Sequence, residues 1–121
     1  MKIRFVYTAL QVRNLSKSIR FYTQVLGMKQ LVRKYVKETD GEMCVLKSGK
    51  TTLELNHYDN QPCKRGNNLD HLAFEVDDFG EFQSMLRRRR IRIHEYLETE
   101  RWKRFFISDP DGNWLEIFYR K

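Results

Sequence analysis

The segment HLAFEVDDF at residues 71–79 decides the fold, because the chain carries a second version of it, YTALQVRNL, at residues 7–15. An alanine, a valine and a large apolar residue recur at the same places in both copies. TLEL at residues 52–55 is repeated in the same way by WLEI at residues 114–117. The chain therefore consists of two related units, each too small to bury a whole sheet face by itself.

Each unit has the residue pattern of one strand, one helix and three further strands. Phe5 to Val12 alternates as a strand does, and Leu69 to Val76 is the matching strand of the second unit. A strong turn signal, DPDG at residues 109–112, precedes the last strand. The pattern predicts the α+β class, with the same element order in both halves.

Length and composition predict one domain over residues 1–121. Hydrophobic residues make up 40% of the chain and aromatic residues 13%, which suffices for a packed core. We expect a first module over about residues 1–60, a second over about residues 67–121, and a polar linker at residues 58–68. With no apolar run near the ~20 residues of a membrane span, no signal region and only two isolated cysteines, we expect a cytoplasmic, membrane-free protein.

The chain is strongly basic, with a net charge of +7 and a pI of about 9.6. This charge favours anionic partners, and by itself it does not choose between a nucleic acid and an anionic small substrate. The densest run, Arg87 to Arg90, ends a predicted helix, where it complements the helix dipole and faces solvent. We therefore expect a small-molecule substrate and no nucleic-acid partner.

Polar and ionisable side chains recur on one face of the matched strands. The face turned away from the helix stripes carries Tyr7, then Thr52, Glu54 and Asn56, then His71, Ala73 and Glu75, then Trp114, Glu116 and Phe118. Burying unpaired carboxylates is costly, so a shared polar cup is predicted there. Two carboxylates and an imidazole suit a divalent Zn, Ni, Mn or Fe(II) ion. The spacing alone leaves open that Glu54 and Glu116 face solvent and that His71 is structural.

Three motifs are spread along the chain: LxVxxLxxSIxFYxxVLGM at residues 10–28, LDHLAFEVDD at residues 69–78 and FISDPDGNWLEI at residues 106–117. They resemble the glyoxalase/bleomycin resistance/extradiol dioxygenase superfamily, also called the vicinal oxygen chelate (VOC) fold, and within it the glyoxalase I (lactoylglutathione lyase) type. The resemblance implies paired βαβββ modules whose curved mixed sheets surround a cup-shaped site, commonly in a homodimer.

The resemblance also implies a metal site and a reaction. The family's four metal positions fall on Tyr7, Glu54, His71 and Glu116. A metal-dependent lyase or isomerase acting on a small substrate with adjacent oxygens is implied, with Glu116 or Glu54 as the catalytic base. The cofactor implied is a divalent ion: Ni, Zn, Mn or Fe(II).

The sequence departs from that family at three positions. Tyr7 stands where glyoxalases have His or Gln, Gln11 stands where they have an Arg, and their Asn falls here near Tyr58. These departures imply weak activity on the glutathione adduct of methylglyoxal. They keep open a metal-free binding protein of the bleomycin-resistance type, with Tyr7, Trp114 and Phe118 lining an aromatic pocket. A dioxygenase is less favoured, because the first of its two histidines is absent.

Overall fold

The computed structural model of the chain describes residues 1–63 and 69–121. Its strands and α-helices are β1 (Thr8–Gln11), α1 (Leu15–Arg20), β2 (Lys29–Val36), β3 (Gly41–Ser48), β4 (Thr51–Tyr58), β5 (Leu72–Glu75), α2 (Phe79–Arg88), β6 (His94–Glu98), β7 (Trp102–Ser108) and β8 (Trp114–Arg120). A π-helical segment (Phe21–Val25) continues α1, and a short 3-10 helix (Lys37–Thr39) follows β2. Two compact units are present, Met1–Arg65 and Gly66–Lys121. The expected linker at residues 58–68 begins on the last residue of β4, and its residues 64–68 lie outside the described part.

Each unit contains one four-stranded mixed sheet, and the two sheets have the same topology. In the first unit the strand order is β1-β4-β3-β2, and in the second it is β5-β8-β7-β6. The first strand of each unit runs parallel to the last, and the remaining neighbours are antiparallel. The α+β class and the repeated strand, helix and three-strand order are confirmed.

The core of each unit lies between its helix and one face of its sheet. In the second unit Phe79 and Leu86 of α2 are buried, as are Phe105 and Leu115 of the sheet. The rings of Phe79 and Phe105 meet edge to face with their centroids 5.1 Å apart. Because side chains alternate across a strand, the residues between these apolar positions point to the opposite face.

Both helices begin at a capped residue, which sets where the chain leaves the first strand of each unit. Asn14 accepts a hydrogen bond from the Lys17 amide at 2.9 Å, and Asp78 accepts one from the Glu81 amide at 3.0 Å. In the described part of the chain, neither helix has the length and apolar character needed to cross a bilayer.

Two strands are shorter than the sequence pattern predicted. The predicted strand Phe5 to Val12 is β1, Thr8–Gln11, and the predicted strand Leu69 to Val76 is β5, Leu72–Glu75. Each is an edge strand that pairs with the last strand of its unit over four residues, Thr8–Gln11 with Leu53–Asn56 and Leu72–Glu75 with Leu115–Phe118. As a result Tyr7 and His71 each lie just before a strand instead of inside one.

The DPDG turn is confirmed, and a buried aspartate holds it together. Asp109 is 5% exposed, and its Oδ1 accepts hydrogen bonds from the backbone amides of Asp111 at 2.9 Å and Asn113 at 2.8 Å. Its Oδ2 accepts a third from the Asn113 side chain at 2.9 Å. Gly112 has a φ of 85°, which L side chains rarely adopt. This turn delivers the chain into β8, the strand that carries Glu116.

Replacing Asp109 by alanine is expected to lower the free energy of unfolding by about 2–3 kcal/mol, because two backbone amides lose a charged acceptor. Denaturant titration followed by circular dichroism measures the change. The exposed Asp77 provides a matched control, since Asp77→Ala should change the free energy by no more than about 0.5 kcal/mol. Equal effects of the two substitutions would contradict the structural role given to the turn.

Candidate functional site

Tyr7 and Glu54 lie on the polar side of the first unit. The parallel register pairs Ala9 with Glu54, so both face away from buried Leu55 on the alternate position of β4. Asn56 donates a hydrogen bond from Nδ2 to Glu54 Oε2 at 2.9 Å, which orients that carboxylate. Tyr7 precedes β1 and is 50% exposed. The face assignment made from the alternation holds for this pair of strands.

The second unit brings His71 and Glu116 together. Register pairs Ala73 with Glu116, and His71 lies two residues before Ala73 on the same side of the sheet. The distance from His71 Nε2 to Glu116 Oε2 is 4.0 Å. The imidazole also meets the Phe106 ring edge to face, with centroids 5.4 Å apart. Two of the four residues selected from the sequence are therefore neighbours in space.

Asp70 orients the His71 ring from behind. Its Oδ2 lies 2.6 Å from His71 Nδ1. Nδ1 faces this largely exposed carboxylate, and Nε2 is the ring nitrogen that faces Glu116. This carboxylate–imidazole pairing is typical of histidines that bind metals. The sequence reasoning missed Asp70, although an acidic residue directly before the histidine was a usable signal.

Arg104 is the second residue that the sequence reasoning missed. Its Nη1 lies 3.0 Å from Glu116 Oε2, and Glu116 is only 13% exposed. The guanidinium also lies over the rings of Trp102 and Phe106, 5.3 Å and 5.6 Å from their centroids. The sequence of β7 carried a signal for this arrangement. Alternate residues of that strand, Trp102, Arg104 and Phe106, lie on one face, which places a cation between two aromatic side chains.

Several aromatic side chains of the second sheet contact one another near this polar group, Trp114 and Phe118 among them. Trp114 stacks on His94 with centroids 5.7 Å apart and planes inclined by 8°. Trp102 and Phe118 are 6.2 Å apart. The same face of the second sheet therefore offers both ring surfaces and charged groups to a ligand.

The donor chemistry of the second unit fits one side of a divalent-ion site. Metal–nitrogen and metal–oxygen bonds are each about 2.0–2.2 Å, so an ion between His71 Nε2 and Glu116 Oε2 can reach both after a small closure of their gap. Asp70 contacts Nδ1, which leaves Nε2 as the ring nitrogen that faces Glu116. Within residues 1–63 and 69–121, three or more His, Cys, Asp or Glu side chains are nowhere grouped so as to hold an ion. The Glu54 and Tyr7 contributions to a metal site therefore stay a prediction.

Cys44 is excluded as a competing nucleophile in this fold. It is fully buried in β3, and burial, partly opposed by Arg33, raises the pKa of its thiol. The protonated thiol is a poor nucleophile and a poor metal ligand. Cys44 therefore acts as a small core residue.

Comparison with known proteins identifies the family to which the chain belongs. Residues 4–117 match the family model described as the glyoxalase/bleomycin resistance protein/dioxygenase superfamily. The chain belongs to this superfamily. Members of the superfamily typically use divalent metals, which agrees with the donors that His71 and Glu116 present.

Individual superfamily members are similar along nearly their whole length. A lactoylglutathione lyase of Neisseria meningitidis is 35% identical over 127 residues, covering 98% of this chain and 92% of the relative. A probable trivalent organoarsenical cleaving enzyme of Bacillus subtilis is 30% identical, covering 98% of this chain and 82% of the relative. The structure of a trypanothione-dependent glyoxalase I of Leishmania major superposes with a TM-score of 0.82 and 31% identity, covering 98% of this chain and 87% of that one.

Proposed function

We propose that this protein is a metal-dependent lyase or isomerase of glyoxalase type that acts on a small substrate with adjacent oxygens. The observation that carries the proposal is the pairing of His71 Nε2 with Glu116 Oε2 at 4.0 Å, with Asp70 behind the ring. The similarity to lactoylglutathione lyases supports the same reaction class.

The proposed metal ligands are the family positions carried over from the resemblance: Tyr7, Glu54, His71 and Glu116. A divalent Ni, Zn, Mn or Fe(II) ion in that set would supply Lewis-acid polarisation of a substrate carbonyl. Glu116 is the proposed base, with Glu54 as the other candidate carboxylate. Glu116 would remove the proton from the hydroxyl-bearing carbon next to the carbonyl and return it to the carbonyl carbon, while the hydroxyl proton passes to the carbonyl oxygen, so the two carbons exchange oxidation levels. Because no electrons are gained or lost overall, the reaction requires no redox cofactor.

One observation favours a second candidate, a metal-free binding protein of the bleomycin-resistance type. Arg104 already places a cation on Glu116, at 3.0 Å, among the rings of Trp102 and Phe106. The Arg104–Glu116 ion pair, with aromatic rings beside it, could bind a small organic molecule without catalysing a reaction. Metal content separates the two candidates.

The test combines metal analysis with a proton-exchange assay. Purified protein is dialysed, supplied separately with Ni, Zn, Mn and Fe(II), and analysed for bound metal. Solvent-deuterium incorporation is then followed over 2-oxo compounds, hemithioacetals and catechols. We expect about one ion per site and exchange into a hemithioacetal or 2-oxo compound, with weak activity on the glutathione adduct. Protein that stays metal-free and inactive would support the binding candidate, and catechol ring opening with oxygen uptake would indicate a dioxygenase.

The proposal keeps three expectations from the sequence. We propose a homodimer, a cytoplasmic location and a single domain over residues 1–121. Sedimentation velocity at micromolar concentration measures the first of these, and a monomer would contradict it.

A further inference from the structure

Arg104 and the proposed metal site use the same oxygen atom. Glu116 Oε2 lies 3.0 Å from Arg104 Nη1 and 4.0 Å from His71 Nε2. Arginine stays protonated at any physiological pH, so its positive charge cannot be removed to make room for another cation. An ion placed between His71 and Glu116 would therefore meet a fixed positive charge on one of its own ligands.

The Arg104 guanidinium has more hydrogen-bonding capacity than its present contact uses. It carries five N–H donors, and in the described part of the chain its hydrogen bond is to Glu116. Its Nε is buried without a hydrogen-bond partner among those residues. The rings of Trp102 and Phe106 on β7 hold the Arg104 guanidinium in place. If Glu116 moves away, the guanidinium therefore stays oriented, with its N–H donors open to another acceptor.

We propose that Arg104 is a built-in competitor of the metal ion, which holds Glu116 while the ion is absent and binds a substrate carboxylate once the ion has displaced it. The inference rests on the proposed metal-dependent function and names the substrate class, a small carboxylate. We choose a carboxylate because the present partner of Arg104, the side chain of Glu116, is itself a carboxylate. A planar guanidinium binds carboxylates through paired hydrogen bonds.

Metal and carboxylate then strengthen each other's binding. The ion frees the Arg104 guanidinium for the carboxylate, and a carboxylate that occupies the guanidinium removes the competitor from Glu116. Linkage requires the two effects to be equal in size. The net charge of +7 attracts the same class of ligand to the protein surface.

The first test measures Zn²⁺ affinity by competition with a chromophoric chelator. Arg104→Met removes the charge at similar side-chain volume, and we expect it to bind Zn²⁺ about tenfold or more tightly than wild type, the usual size of an arginine–carboxylate coupling. Arg120→Met is the matched control. It removes the same charge from a 75% exposed side chain that pairs with Glu75 at 3.3 Å on the same sheet. We expect it to change the affinity by no more than about threefold.

The second test measures binding of phenylacetate, a carboxylate with a ring that suits the aromatic surface, by Trp fluorescence. Zn-loaded wild type should bind it more tightly than the metal-free protein, and Arg104→Met should lose this gain while Arg120→Met keeps it. Thermal melts check folding, and Arg104→Gln gives the same comparison if the methionine variant does not fold.

The outcomes separate this inference from the proposed function. Equal Zn²⁺ affinities of wild type and Arg104→Met overturn the inference and leave a metal-dependent enzyme standing. Failure of both proteins to bind Zn²⁺ overturns the metal-dependent function together with the inference. Phenylacetate binding that does not depend on Arg104, or no binding to the loaded wild type, overturns the carboxylate assignment.

Discussion

Glu116→Gln is expected to lower the rate of solvent-deuterium exchange roughly 100-fold or more, the usual consequence of losing a general base. The amide keeps an oxygen that accepts the hydrogen bond from Arg104 Nη1, now 3.0 Å from Glu116 Oε2, and it keeps the side-chain shape. It has no basic oxygen to take a proton from carbon. The loss should therefore appear in turnover, with a smaller loss of bound metal than Glu116→Ala causes.

Glu75→Gln is the control for this prediction. Glu75 lies in β5 of the same sheet, its side chain is 59% exposed, and it pairs with Arg120 instead of with the histidine. Its substitution should leave the exchange rate at the wild-type level. Wild-type turnover in Glu116→Gln would place the base elsewhere, and Glu54→Gln would then be the variant to measure.

His71→Ala is expected to weaken Zn²⁺ binding about 100-fold or more, because it removes the nitrogen donor of the proposed set. Loss of an outer partner of a metal ligand typically costs 10–100-fold, and the Asp70 side chain is 95% exposed, so Asp70→Asn should produce a smaller decrease of about tenfold or less. The graded order follows from the geometry, since Asp70 touches Nδ1 at 2.6 Å while Nε2 faces Glu116. Chelator competition on each folded variant measures both changes.

His94→Ala is the matched control for His71→Ala. His94 belongs to the same unit, but its ring stacks on Trp114 instead of facing a carboxylate. We expect its substitution to leave Zn²⁺ affinity unchanged. Equal losses in the two alanine variants would show that the metal is bound through exposed histidines in general, and the ligand assignment would be wrong.

The polar face of each sheet, which carries Glu116 in the second unit and Glu54 in the first, could be predicted because strand alternation is a local property. Leu115 and Ile117 are buried, so Glu116 between them had to point to the opposite side. The repeat extended the same reasoning to β4, where Glu54 lies between buried Leu53 and Leu55. No knowledge of which strands pair was needed for either residue.

The contact between Arg104 and Glu116 could not be obtained in the same way. Glu116 is paired in register with Phe106, so Arg104 reaches it diagonally from a position two residues away on β7. Which residues become diagonal neighbours depends on the length and conformation of the turn between the strands. The turn was predicted as a turn, but its exact geometry was not.

The sequence by itself determined the repeated strand, helix and three-strand order, the polar face and the turn that leads into β8, because these follow from periodicity and from residues with strong local preferences. Only the tertiary structure decided that Arg104 binds the Glu116 oxygen that the His71 ring faces. Such contacts depend on strand register and on side-chain direction, and both are set by the packing of the whole sheet on its helix.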